Sequence, residues 1–124
     1  MNKTQTFLQS FKCAFAGIVH AIVEGRNIKV QLCIGALAIV LGFAFRIDLM
    51  QWAVIFVCIG VVLGGECVNT AMEAVVDLVS PEYHELAKIA KDCAAGAVLV
   101  ASIASVFVAA FIFLPKIFAL LGWA

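Results

Sequence analysis

Three apolar runs downstream of residue 28, each near the length needed to cross about 30 Å of hydrocarbon, leave this chain few ways to fold. Hydrophobic residues make up 65% of its 124 positions. A soluble domain of that length cannot hide so much apolar surface, so the chain reads as an all-α integral membrane protein of one unit. The first span is expected over 28–45, close to the lower length limit. Arg46-Ile47-Asp48-Leu49 forms a short connection to a second span over 50–79. A helix that long rises about 40 Å, so its second half should run into an interface. Ser80-Pro81-Glu82 carries helix-start signals: a serine N-cap, proline at the first position, an acid in the first turn. A third span is therefore expected over 81–114, passing into the membrane after Asp92 and stopping before Pro115. Its small residues Ala97, Ala101, Ser105 and Ala109 recur every fourth position and permit close helix approach.

The first part of the chain is different. Over residues 5–23, Phe7, Leu8, Phe11, Phe15, Ile18, Val19 and Ile22 fall at helical intervals, with Gln9, Lys12 and His20 between them. Such a pattern predicts an amphipathic helix lying in the membrane interface, with His20 on its polar face. Glu24-Gly25-Arg26-Asn27 breaks the run, and Gly25 permits a turn. Lys3, Lys12, Arg26, Lys29, Lys88 and Lys91 would lie on one side of the bilayer, Arg46 and Lys116 on the other. The positive-inside rule then puts the N-terminus and the Ser80 loop in the cytoplasm and the C-terminus outside. The opening MNKTQTFLQSFK lacks a signal-peptide pattern, in keeping with a cytoplasmic N-terminus. Trp52 and Trp123 fit interfacial aromatics of the outer side.

Eight basic and eight acidic residues cancel, and no basic tail points to nucleic acid. Cys13, Cys33, Cys58, Cys67 and Cys93 show no metal-binding spacing and read as small hydrophobes.

Function is signalled by GECVNTAMEAVVD in the second span. Glu66, Asn69, Glu73 and Asp77 lie three, four and four residues apart, on one helical stripe. A carboxylate at membrane depth costs about 2.5–3.5 kcal/mol on insertion scales, so such residues mark a site. Glu73 and Asp77 offer the hard oxygens that magnesium prefers, Glu24 could approach from the surface helix, and Lys91 would neutralise phosphate oxygens. No GxxxxGKS/T is present, so a nucleotide would not be held by a P-loop. Glu66, the deepest acid, is placed to take a proton from a lipid hydroxyl attacking a γ-phosphate. Blander readings exist: a Glu–Asn helix pairing, a Lys88–Asp92 surface ion pair, Tyr83 and His84 as interfacial anchors. A small proton-coupled transporter would also bury an acid, but would line a path across the bilayer, whereas these acids gather at one side. A non-catalytic assembly subunit leaves Lys91–Asp92 unexplained.

The stretch GECVNTAMEAVVDLVSPEYHELAKIAKDCAAGAVL resembles the small bacterial lipid kinases, the diacylglycerol kinase and undecaprenol kinase family, through E-x-x-N-S/T-A-x-E-x-x-x-D followed by EYHxLAKxAKD. The resemblance implies an interfacial helix plus three transmembrane helices in a homotrimer with shared active sites, in a bacterial plasma membrane, using MgATP and a membrane lipid alcohol. It implies Glu66 as general base and Glu73 as magnesium ligand. Asn69, Asp77, Lys91 and Asp92 would complete the ATP site, with Glu82, Tyr83 and His84 at the nucleotide end. Two positions depart from the pattern. The second metal-binding glutamate aligns with Gly25, and Glu24 stands one position early; an aromatic of the surface helix aligns with Cys13. AKIAKDCAAGAVL, with Ser-Pro before EYH, looks more like the undecaprenol kinases than the diacylglycerol kinases.

Overall fold

The computed structural model describes residues 6–123, and these form four helices: α1 (Phe7–Glu24), α2 (Ile28–Ala44), α3 (Leu49–Val79) and α4 (Glu85–Leu120). Lys3 and the expected helix start at residue 5 lie outside the described residues. α1, α3 and α4 are each long and apolar enough to cross a membrane, and α2 is apolar but shorter at 17 residues. The protein is a multi-pass membrane protein.

Local chemistry sets the helix ends. Thr6 starts α1 through a capping box: its Oγ1 accepts the Gln9 N–H at 3.3 Å, and its own N–H donates to Gln9 Oε1 at 2.9 Å. Asp48 and Gln51 repeat the device at the start of α3. Between α2 and α3, Arg46 adopts φ +51°; its N–H donates to the Phe43 carbonyl and that of Ile47 to Gly42. This is a Schellman end with arginine where glycine is usual.

Gly25 ends α1 with an ordinary φ of −69°, so conformational freedom is not what the position needs. Space is. A Cβ there would stand 2.5 Å from the Ala21 carbonyl oxygen and 2.9 Å from Ile28 Cγ2. Because the first obstacle is backbone, relief would require the last turn of α1 to move. Gly25→Ala is expected to destabilise the fold by about 1–3 kcal/mol, the usual cost of overpacking. Thermal unfolding in detergent would detect it; an unchanged midpoint would mean that the turn repacks without cost.

α4 differs from its expected limits at both ends. Ser80 closes α3 instead of opening α4: its N–H reaches the Val76 carbonyl at 2.7 Å, and its Oγ donates to the Glu82 carbonyl at 2.9 Å. The following proline disfavours helical backbone at Ser80, whose φ and ψ are −137° and 77°. α4 begins at Glu85, where His84 Nδ1 accepts the Leu86 N–H at 3.1 Å. At the far end the helix runs through Pro115 to Leu120. Proline removes one N–H donor, but buried Ile112 and Phe113 and half-buried Ile117 pack on either side and hold the helix through it.

α3 and α4 form the main packing pair, with α2 against α3 and α1 on the edge. Val98 of α4 faces Gly65 of α3, where a Cβ would lie 3.6 Å away. In the small-residue ladder, Ser105 Oγ bonds back to the Ala101 carbonyl at 2.8 Å. The core gathers near the α2–α3 turn around Ile47, Ile55, Ile112 and Phe113. Trp52 belongs to this cluster and is more than an interfacial anchor. Its ring lies 4.8 Å from that of Phe43, and a Cβ on Gly42 would meet the indole at 2.6 Å.

Candidate active site

The polar stripe of α3 grades from depth to surface. Glu66 is 4% exposed and is the one buried charged side chain among the described residues. Asn69 and Glu73 are half-buried and Asp77 is exposed, about 16 Å further along the helix axis. Each step has a partner. Asn69 Nδ2 donates to Glu73 Oε1 at 3.3 Å, fixing that carboxylate one turn away. Asp77 Oδ1 pairs with Lys91 Nζ at 2.6 Å, linking α3 to α4. Lys88 and Asp92 form a second 2.6 Å pair along α4, exposed on both sides.

Sequence reasoning missed two residues at the deep end. They are Gln31 of α2 and Ser102 of α4. Gln31 Nε2 donates to Ser102 Oγ of α4 at 3.3 Å. Among the described residues, Gln31 Oε1 and Asn69 Oδ1 are buried without a hydrogen-bond partner. The available signal was an amide one turn inside an apolar helix, the same kind of anomaly that exposed the acids. Beyond Gln31, Ser102 and Ser105, a mainly apolar cavity of about 210 Å³ runs between α2, α3 and α4, past Ile59 to Phe113.

The structure thus brings Glu66, Asn69 and Glu73 into one polar seam and ties Asp77 to Lys91. Asp92 is engaged with Lys88. Glu82, Tyr83 and His84 form the exposed α3–α4 connection, and the His84 ring caps α4. Glu24 is exposed at the last position of α1. Among the described residues, no three of His, Cys, Asp and Glu converge to hold a metal ion. One or two carboxylates nevertheless suit magnesium, whose remaining ligands are commonly phosphate and water. Glu73, held by an amide and half open to solvent, is such a donor.

Residues 12–113 match the family model described as prokaryotic diacylglycerol kinase. The chain is 43% identical over 115 residues to a diacylglycerol kinase of Synechocystis sp., covering 92% of this chain and 66% of that protein. It is 37% identical over 116 residues to an undecaprenol kinase of Bacillus subtilis, covering 94% of both chains. A diacylglycerol kinase of Escherichia coli is 32% identical over 108 residues, 85% of this chain and 88% of its own.

Proposed function

Because this chain belongs to the prokaryotic diacylglycerol kinase family, we propose that it is a membrane lipid kinase passing the γ-phosphate of ATP to the primary hydroxyl of undecaprenol. The observation that carries this reading is the graded seam: a buried carboxylate at one end, a lysine–aspartate pair at the aqueous edge. A lipid alcohol reaches Glu66 from the bilayer side and a nucleotide reaches Lys91 from the water.

Glu66 takes the hydroxyl proton as the lipid oxygen bonds to the γ-phosphorus and the bond to the ADP oxygen breaks. Lys91 exchanges Asp77 for phosphate oxygens and stabilises their charge. Glu73, oriented by Asn69, and Glu24 from the end of α1 would hold magnesium, which supplies neutralising charge to the phosphates when bound. Asp77, Asp92, Glu82, Tyr83 and His84 border the nucleotide. α1 lies in the cytoplasmic interface while α2, α3 and α4 span, with the N-terminus inside and the C-terminus outside. Three copies form the enzyme, since one copy encloses little of a nucleotide.

Undecaprenol is favoured by the end-to-end match to the Bacillus subtilis protein and by the AKIAKDCAAGAVL segment. Diacylglycerol is the second reading, favoured by the 43% identity to the Synechocystis protein. Purified protein in mixed micelles with labelled ATP and magnesium, offered each lipid alone and both together, decides between them. Undecaprenyl phosphate should dominate in competition. Phosphatidic acid as the dominant product selects the second reading, and labelling of neither lipid removes both.

A further inference from the structure

We infer that Gln31 and Ser102 are specificity-determining residues: they read an ester carbonyl beside the lipid alcohol and so keep glycerolipids in competition with the prenol. The inference rests on the lipid-kinase reading, with Glu66 as base. Its geometry starts from the cavity between α2, α3 and α4. On α3, Ile55, Ile59 and Val62 line that cavity eleven, seven and four residues before Glu66. Those spacings keep all four on one helix face. The register with α4 follows from Gly65, where a Cβ would stand 3.6 Å from Val98. Ser102, one turn beyond Val98 on the antiparallel neighbour, is level with the turn of α3 that precedes Gly65. Val62 and Leu63 of that turn share the cavity wall with Gln31 and Ser102. The amide therefore lies about one helical turn, about 5.4 Å, from the level of Glu66, on the side away from Asp77.

From there the cavity continues along α4 to Phe113, a run of about 16 Å. Its wall is nearly all hydrocarbon, which suits the chain of a lipid whose hydroxyl stands at Glu66. Of the two serine hydroxyls in the wall, Ser105 bonds back to its own helix. Gln31 is different. It donates from Nε2 to Ser102 Oγ at 3.3 Å, while its Oε1 is buried without a partner. Turned end for end, the amide accepts the Ser102 hydroxyl at Oε1 and offers its two N–H groups to the cavity. Both ends are then bonded only when an occupant brings an acceptor. A diacylglycerol carries its ester carbonyls a few bonds from the alcohol, at this level. A prenol brings only hydrocarbon there, and an amide buried against hydrocarbon without a partner costs free energy. Specificity is a difference between two such affinities, so one amide shifts the balance between lipids without touching the reacting atoms.

The test is steady-state kinetics in mixed micelles with labelled ATP and three acceptors: undecaprenol, a diacylglycerol, and the dialkylglycerol with the same chains, which has ethers in place of esters. The wild-type protein should use the diacyl lipid about five- to tenfold better in kcat/KM than the dialkyl one, the worth of one ordinary hydrogen bond. Gln31→Leu, which removes the amide, should bring those two lipids within about twofold and raise the use of undecaprenol about two- to fivefold. Ser102→Ala, which frees the amide from its seat, should cut the diacyl preference about two- to threefold, and Ser102→Thr should keep it. A merely structural role would lower all three lipids together and leave their ratios alone. Equal use of diacyl and dialkyl lipids by the wild-type protein, or Gln31→Leu with wild-type ratios, overturns the inference. Should Gln31→Leu fail to fold, Ser102→Ala with an undiminished diacyl preference overturns it equally. Labelling of undecaprenol but of neither glycerolipid overturns the inference and leaves the kinase reading standing. Labelling of no lipid removes that reading and the inference with it.

Discussion

Glu66→Gln is expected to cut phosphate transfer by about 10²–10⁴-fold, the range a positioned general base contributes. Glutamine keeps the shape and one acceptor oxygen but cannot take a proton. The fold should tolerate the change, because a buried carboxylate is the costly state and a neutral amide relieves that cost. Helix content and the thermal midpoint in detergent should therefore stay level or rise while activity falls. That divergence is the diagnostic result. Loss of structure in parallel with activity would point to a helix-pairing role, and retained activity would place the base elsewhere.

Lys91→Met is expected to lower kcat/KM for ATP by about 10²–10³-fold, comparable to removing one donor that stabilises transition-state charge. Its pairing with Asp77 gives the experiment an internal control. Both partners are substantially exposed, with side-chain accessibilities of 41% and 66%. An exposed pair of this kind contributes about 0–1 kcal/mol, so breaking it should barely affect stability. If Lys91 serves phosphate, Lys91→Met should be far more damaging than Asp77→Asn, although both remove the same ion pair. Equal effects would mean that the pair matters as a clasp between α3 and α4. Lys91→Arg should recover only part of the activity, since a planar fork does not replace a compact ammonium.

The long apolar stretches were legible because their length and periodicity exceed anything a turn could mimic, and the Glu24–Asn27 and Arg46–Asp48 breaks followed from their polar residues. Ser80-Pro81-Glu82 misled because one set of residues satisfies two grammars. A serine–proline pair opens a helix or follows the end of one, and the choice fell to His84, whose ring caps α4 two residues before Leu86. Pro115 misled because its lost hydrogen bond is outweighed by packing around Phe113, a tertiary effect. Among the site residues, the acids of α3 announced themselves through their register on one helix. Gln31 and Ser102 come from two other helices, and their meeting depends on how those helices dock.

The length of α3 has a further consequence. At 31 residues it measures about 46 Å, against about 30 Å of hydrocarbon. The surplus is taken up by tilt or overhang, and each host film sets its own compromise. Glu66 is fixed on that rod, so a thicker or thinner film slides it relative to the plane where lipid hydroxyls float. Under the proposed reaction, the reach between alcohol and acid would then follow membrane thickness, with no change in the chain itself.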